Sequence, residues 1–462
     1  MLKKISAILL MMLSSACATF YETTYDYNKQ FEEGKLDKAL ASLRENTQYR
    51  KETVKFLYYV NNGILLSIMG QYEESNNYFE KAFLFGEDYR LNLVREAASY
   101  FTNPSVTIYR GEDHEHLMVL YYKAMNFLKM GRHEEALVEC RRLNIRLQQL
   151  SDKYSSENKY RRDAFIHLLM GTIYQADKDW NNAFIAYRNA YQIYEEDYER
   201  LFGIAAPDQL KADLLRAAWN TGFTDEYEFY KQKFNWSDFN VVNPDGELVF
   251  FWHNGLSPIK DEWSINFVVN REGDNMFLFS NPDLNMQYSF YVSSDDEKAQ
   301  LSNLEVIRVA FPRYLERPVY YAQGTIKTTD SSFALQLGED VNRVAVKCLQ
   351  ERMAFEFSKS LLRVALKKSL EYSARKEDKS FGAIVGAINA ATEKADTRNW
   401  QTLPHRIHYA RVPLKSGENP IVLVLSRADG HSDEYRFTYT AQNGQTLFHT
   451  FTSLESLPAS RY

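Results

Sequence analysis

From about residue 22 to residue 234, apolar side chains recur at intervals of three and four, and short polar turns separate runs of about twelve to sixteen residues. This spacing predicts an array of helices. Its clearest unit is His167, Met170, Gly171, Tyr174, Ala183, Tyr187 and Ala190, the pattern of a tetratricopeptide repeat, in which small residues let two antiparallel helices approach and large ones fill the gap. Gly63, Leu66, Gly70, Tyr72, Ser75, Phe79 and Ala82 fit the same template. Weaker copies run through Ala124, Phe127, Gly131, His133, Ala136 and Cys140, and through Gly34, Leu36, Ala39 and Leu43. The turn positions Gly34, Gly70, Gly131 and Lys178 lie 36, 61 and 47 residues apart, so the array is irregular, with an insertion near Phe101–Gly111.

In such arrays the first helix of each pair lines the concave face. Counting from the motif places Leu57, Val60, Ile64, Met118, Tyr121, Met125, Phe165 and Leu168 there. A groove for a charged peptide tail would need Lys, Arg or Asn at several of these positions. An apolar strip of this length is an aggregation hazard if left open, so it is expected to be filled by a later segment of the same chain or by an apolar partner.

After Phe234 the period changes to two. Glu247–His253, Trp263–Val269, Tyr288–Val292, Glu305–Phe311, Val319–Ile326, His405–Pro413, Pro420–Ser426, Tyr435–Thr440 and Thr446–Phe451 read as strands, with turns at Asp429-Gly430 and Asn443-Gly444. Between the strand groups, Glu339–Arg375 has helical spacing, acids at its start and a basic cluster at its end, as the helix dipole favours. A helix rich in small residues, Phe381–Ile388, follows and is expected to pack back on it, or to touch a bilayer. The expected fold is α+β and multidomain: an α-solenoid over 17–234, then a β-sandwich or partly closed barrel over 235–338 and 395–462, with a long helical insertion at 339–394.

The first residues bear on the compartment. Lys3 and Lys4 precede the apolar run Ile5–Leu13, and Ser14-Ser15-Ala16 leads into Cys17, the order of an export signal over residues 1–16. The site resembles the lipobox of bacterial lipoproteins, with Ser14 where the box usually carries Leu. That resemblance implies acylation of Cys17. The alternative is an ordinary secretory signal followed by a chance cysteine. Ala18 is not the Asp that retains many lipoproteins in the inner membrane, so the expectation is an outer-membrane lipoprotein facing the periplasm, anchored through its N-terminal lipid.

Composition narrows the partners. Of 462 residues, 55 are basic and 61 acidic, a net −6 that leaves no excess of cations to grip a phosphate backbone, so nucleic acid is not an expected partner. Hydrophobic residues at 45% and charged residues at 25% are globular proportions. Cys140 and Cys348 sit in patterns that bury small apolar residues, and read as isolated core thiols, with a disulfide as the alternative.

Several segments together carry a family resemblance: Tyr109–Glu115, Tyr122-Lys123-Ala124, Ala136–Arg142, Gly246–Val249, Gly255–Lys260 and, the most specific, Ala395-Asp396-Thr397-Arg398-Asn399-Trp400-Gln401-Thr402-Leu403-Pro404. The chain resembles an uncharacterised family of bacterial lipoproteins with a tetratricopeptide half. The resemblance implies no activity. Family members tend to be encoded near other small envelope lipoproteins, which implies partners among envelope proteins and a role in cell-wall assembly.

Candidate chemistry is sparse. Glu112-Asp113-His114-Glu115-His116 has the donor types of a zinc site, but at a helix start His114 and His116 point about 200° apart, so helix-capping acids are the better reading and no metal is expected. Asp396, Arg398 and Trp400, with His405, His408 and Arg411 shortly after, combine an acid, cations and an indole. An Arg–carboxylate fork stacked on Trp would lock a turn or a domain junction, or bind a ligand. Glu139 and Arg142 form an i,i+3 pair. No nucleophile elbow, zinc-protease helix, phosphate loop or dinucleotide fingerprint is present in the sequence, and no cofactor is expected.

The leading expectation is therefore a non-enzymatic, tethered interaction scaffold, with Tyr109, Glu112, His114, Glu115, Glu139, Arg142, Asp396, Arg398 and Trp400 at an interaction or junction surface. A carrier for a glycan or lipid is the alternative, which a large pocket lined by Trp and Tyr would favour. An enzyme acting on cell-wall polymer is third, and needs a convergent carboxylate pair.

Overall fold

The computed structural model describes residues 19–88, 107–151, 160, 162–353 apart from short breaks at 274, 284, 293–297, 299–300 and 302–304, and 395–459. Cys17 and its leader, the long helix beyond 353, and Phe381–Ile388 lie outside the described residues.

The first half is helical: α1 (Phe20–Thr23), α2 (Tyr25–Glu32), α3 (Leu36–Glu45), α4 (Lys55–Ile68), α5 (Tyr72–Asp88), α6 (Asp113–Lys129), α7 (His133–Ser151), α8 (Ala164–Ala176), α9 (Trp180–Ile193), α10 (Glu199–Phe202), α11 (Asp208–Thr221) and α12 (Thr224–Lys233). A π-helical turn, Tyr194–Tyr198, joins α9 to α10. Consecutive helices pack as pairs, α4 on α5, α6 on α7 and α8 on α9. In two of these pairs the close approach is made by a missing side chain. A Cβ on Gly63 would lie 2.6 Å from the Phe79 ring, and one on Gly171 would lie 2.5 Å from the Tyr187 ring.

Among the described residues the second half holds twelve strands: β1 (Gly246–Asn254), β2 (Ile259–Arg271), β3 (Met276–Asn281), β4 (Met286–Tyr291), β5 (Val306–Leu315), β6 (Tyr321–Lys327), β7 (Ser332–Ala334), β8 (Gln336–Asp340), β9 (Arg406–Leu414), β10 (Gly417–Arg427), β11 (Ser432–Ala441) and β12 (Thr446–Ser453). They form three open four-stranded sheets, ordered β12-β1-β9-β8, β11-β10-β6-β7 and β4-β3-β2-β5. None of them closes into a barrel. The first two stack as a sandwich, whose core includes Leu248, Phe250, Trp252, Ala410, Val412, Ile421 and Leu423. The third has its own core around Phe267, Phe279 and Val309.

Strand β1 explains how the halves join. All nine of its residues are buried, because successive side chains point to opposite faces of a central strand and both faces are covered. Leu248, Phe250 and Trp252 enter the sandwich, whereas Val249 and Phe251 join one continuous core with the helices. Ile407 and Tyr409 of β9 do the same. The first sheet is thus a middle layer between the helical array and the second sheet. All eight residues assigned to the concave face are buried, Met118 being the most exposed at 8%. Phe251 meets Phe165 edge-on at 6.3 Å, and His253 Nε2 lies 2.8 Å from the Tyr121 hydroxyl.

The helical insertion starts later than its sequence suggests. Glu339 and Asp340 end β8 and pair with Ile407 and Arg406 of β9; residues 341–353 (α13) are helical. The acids that read as a helix start are held in a strand by its sheet partner, a tertiary effect that overrides local pattern. The 338/339 boundary therefore falls inside an element of the first sheet. Strands β3, β7 and β8 went unpredicted for the same reason, being short and without clean alternation. Cys140 and Cys348 are both free and buried.

Replacing Gly171 with Ala tests the helix approach. Alanine would ordinarily favour a helix by about 1 kcal/mol. Here its methyl meets the Tyr187 ring, and overpacking costs about 1–3 kcal/mol. Urea unfolding should therefore show a net loss for G171A, with m unchanged.

Candidate functional site

The segment 395–404 is inserted between the halves rather than displayed on the surface. Asp396 forks on Arg398, Nε to Oδ1 at 2.8 Å and Nη2 to Oδ2 at 2.6 Å. Arg398 then donates through Nη1 to the carbonyls of Thr53 at 2.7 Å and Thr107 at 2.8 Å. The guanidinium lies over the Tyr109 ring at 5.2 Å, not over Trp400. Trp400 is fully buried beside Phe79 and Tyr122, each ring 5.9 Å away. Thr397 accepts from the Phe20 amide, Gln401 donates to Asn28, and Thr402 donates to Asn61. On the β side, Asn399 accepts from the Lys260 amide and donates to the Pro258 carbonyl. The segment is a latch tied to both halves, although the Gln401 Oε1 is buried without a hydrogen-bond partner.

Beneath it lies a charged cluster at the start of α6. Glu112 is bonded by Lys260 Nζ and by Arg352 Nη1, the latter at 2.5 Å. Burial opposes its charge, but Arg352 and Lys260 hold its carboxyl well below the usual range. Glu115 accepts from the Tyr109 hydroxyl at 2.8 Å, the Glu112 amide at 2.9 Å and the Trp400 amide at 2.5 Å. Burial, with the Glu112 charge beside it, pushes Glu115 up to about 7. Burial lowers His114 to about 4, and His116 packs on Phe56 at 5.1 Å. Among the described residues no three His, Cys, Asp or Glu side chains converge as metal ligands do.

The remaining sequence candidates separate. Glu139 pairs with Lys123 at 2.8 Å and Arg142 at 3.0 Å, tying α7 to α6. His405 Nδ1 donates to the Arg317 carbonyl at 2.9 Å, and His408 stacks on Trp252 at 4.7 Å. Arg411 is far from the latch in partners: it reaches Asp213 at 3.0 Å and Glu247 at 2.8 Å, joining β9 to α11 and β1. Burial disfavours the Glu247 charge, yet Arg411 and Arg216 hold it down to about 2. Asp213 is raised by burial. A buried acid pair, Asp163 and Glu339, is bridged by Tyr198, whose hydroxyl lies 3.1 Å from one and 2.8 Å from the other. Burial first, and their mutual repulsion second, push Glu339 well above the carboxylate range. It lines a cavity of about 30 Å³, too small for substrate.

An open cleft of about 980 Å³ lies between the third sheet, α13 and the end of α10, at the upper end of small-molecule pocket sizes. Trp263 of β2, Tyr288 of β4 and Tyr314 of β5 supply aromatic wall, Val346 and Met353 of α13 supply the facing side, and Leu201 and Phe202 close one end. Its polar lining residues are Arg313, Arg343, Lys347, Asn342 and Gln350. These are groups that hold a ligand. None of the cleft residues was singled out from sequence; the i,i+4 pair Arg343 and Lys347 was the available signal, but only the third sheet gives it an opposite wall.

No known family model matches the chain, and no curated protein matches its sequence. Two solved structures share loose similarity with it. The crystal structure of BtubC (BKLC) from P. vanneervenii aligns at 17% identity and TM-score 0.30, over 47% of this chain and 81% of that one. The crystal structure of MamA protein aligns at 14% identity and TM-score 0.29, over 48% and 99%. Similarity this slight assigns nothing to the chain. No described helix is long and apolar enough to cross a membrane.

Two measurements probe the junction. Lys260→Met leaves Glu112 buried with half its neutralisation, so equilibrium unfolding should show a loss of about 3–5 kcal/mol; adding Glu112→Gln should recover part of it. The second is a pH series. Glu115 titrates at about 7 in the fold and at about 4.3 unfolded. Its proton therefore contributes stability below about pH 4 that is lost as pH rises to 7, on the order of 3 kcal/mol. Between those limits the stability of Glu115→Gln relative to the parent should climb, then level off above pH 7.

Proposed function

We propose that this chain is a lipid-tethered protein of the cell envelope that binds a small ligand and holds or presents it, rather than transforming it. The observation that carries this reading is the aromatic cleft of about 980 Å³, whose polar lining is cationic and amide. A site of this kind supplies apolar area and a few orienting polar groups, the usual division of labour in ligand pockets. The tether in this reading is the acylated Cys17, with buried alkyl chains contributing about 0.8 kcal/mol per methylene. The body would then work at the outer membrane, facing the periplasm.

The helical array, of tetratricopeptide type in this reading, serves as a wall. Its concave face is taken up by Phe251, His253 and Trp400, which leaves no room there for a partner peptide. A second reading, a scaffold that holds another envelope protein, draws support from Trp219 on α11 and Phe229 on α12, 55% and 56% exposed where the array ends. Large aromatic residues left in water at a terminal repeat suit a docking surface.

Solvent extraction of the protein purified from envelopes, followed by mass spectrometry, discriminates the two. The binding reading expects a stoichiometric small molecule that Val346→Trp, which fills the cleft, removes without changing the melting temperature by more than a few degrees. It also expects Cys17→Ser to move the protein from the membrane to the soluble fraction. Recovery of ligand-free parent protein that crosslinks to one envelope protein, and loses that crosslink in Trp219→Ala with Phe229→Ala, would favour the scaffold.

A further inference from the structure

The class of ligand follows from the cleft's own asymmetry, and this step rests on the binding reading above. One side is hydrocarbon and aromatic ring: Trp263, Met286, Tyr288, Pro312 and, across from them, Val346 and Met353. Sugars need a ring of donors and acceptors to replace their water, and that side offers few. A chain of methylenes needs only area, at about 25 cal/mol for each Å² removed from water.

The charge is equally one-sided. Among the described lining residues three are cations and none is a carboxylate. Arg313 is committed, forked on Asp261 at 3.1 and 2.7 Å. Arg343 is not neutralised in the same way. Its Nε is 3.5 Å from Asp340 Oδ2, which Arg406 Nε already holds at 3.0 Å, so one carboxylate faces two guanidiniums. Arg343 Nη1 also donates to the Phe202 carbonyl, a neutral acceptor that positions the guanidinium without cancelling its charge, while 46% of the side chain stays exposed. Lys347, one turn further along α13, has its Nζ 3.6 Å from Glu351 Oε1, beyond a hydrogen bond, and the Tyr160 amide takes that same oxygen at 3.0 Å. The α13 rim therefore carries surplus positive charge directly above an apolar trough.

We propose that the cleft binds a monomeric, single-chain anionic amphiphile of the fatty-acid class, its alkyl chain lying along Trp263, Tyr288 and Met353 and its acidic head between Arg343 and Lys347. Both parts are required together. An apolar body alone would find the trough but not the rim, and a small anion alone would gain little from two cations that water still reaches.

The test uses the mature full chain with Cys17→Ser, so that its own acyl groups do not compete, and cis-parinaric acid, a fluorescent fatty acid that quenches nearby tryptophan. Saturable one-to-one binding at micromolar concentration is expected. Affinity should fall about tenfold or more in Arg343→Glu with Lys347→Glu, and by a similar factor for the uncharged methyl ester of the probe. Val346→Trp should abolish binding while the melting temperature holds. Equal affinity for acid and ester, or for the parent and the charge-reversed protein, overturns the assignment of the head group. If cis-parinarate does not bind but muropeptides or chito-oligosaccharides quench Trp263 fluorescence, the amphiphile is wrong and the binding reading survives. If no probe of either class binds and Val346→Trp changes nothing, both fall. Sedimentation with phosphatidylglycerol vesicles that needs Arg343 and Lys347, in a protein that ignores monomeric probe, would assign the charge to a bilayer surface and overturn the proposal.

Discussion

The rest of the structure depends on covering one apolar surface, the concave side of the helical array. Leu57, Val60, Ile64, Phe165 and Leu168 are each at most 3% exposed, and they share one continuous core with Val249 and Phe251 of β1, Ile407 and Tyr409 of β9, and Trp400 of the latch. A sheet face can cover a groove only if its facing residues are also apolar, and here the reverse face, with Leu248, Phe250, Trp252 and Val412, is apolar as well and needs its own cover. The second sheet meets that requirement. Three layers follow from one exposed strip: helices, the sheet through β1 and β9, and the sheet through β10. Strand β1 records the constraint in its sequence. Gly246–Asn254 has apolar residues at both parities, where a strand with one wet face would alternate.

The segments that carry the family resemblance find a physical reading in this arrangement. Tyr109–Glu115, Gly255–Lys260 and Ala395–Pro404 are distant in sequence and meet at the latch: Glu112 with Lys260, Lys260 with Asn399, Glu115 with Trp400. Gly246–Val249 contributes Glu247 to the second buried network, with Arg411 and Arg216. Residues that looked like site chemistry are spent on each other. Glu112 cannot ligate a metal while two cations hold both of its oxygens, and four of the five N–H donors of Arg398 are served by Asp396, Thr53 and Thr107.

Local structure was legible in the chain where it obeys a period, and illegible where a distant partner decides. The Gly171–Tyr187 approach and the alternation of Leu423 and Leu425 follow from spacing alone. Glu339 does not. Its carboxylate reads as a helix start, but the backbone is in register with β9 and the side chain meets Tyr198 from a different half of the protein. The cleft is less legible still. Arg343 and Lys347 are an ordinary cationic pair on a helix until the third sheet sets Trp263 and Tyr288 opposite them, and nothing in the sequence states which strands share that sheet. Trp400 lies between: its insertion at a junction follows from the cluster around it, while its neighbours, Phe79 and Tyr122, do not.

Why the junction uses buried charge at all needs a reason other than stability. Apolar residues of similar volume in place of a buried ion pair often leave a fold as stable or more so, by about 1–4 kcal/mol. Apolar packing is, however, non-directional, and a smooth sheet on a smooth groove can settle in more than one position. Glu112 with Lys260, Arg411 with Asp213 and Glu247, and Tyr198 with Glu339 sit at three separated points, and each is satisfied in one geometry only. The cleft needs that precision because its walls come from both halves: Leu201 and Phe202 belong to the array, whereas Trp263, Tyr288 and α13 belong to the β-rich part. Arg343, which donates to the Phe202 carbonyl, is at once a pin between the halves and a rim of the cleft. A displacement of the sheet along the groove would move one wall against the other, so the charged junction, whose Lys260 lies 5.7 Å over the Tyr314 ring that lines the cleft, helps to set the cleft's shape.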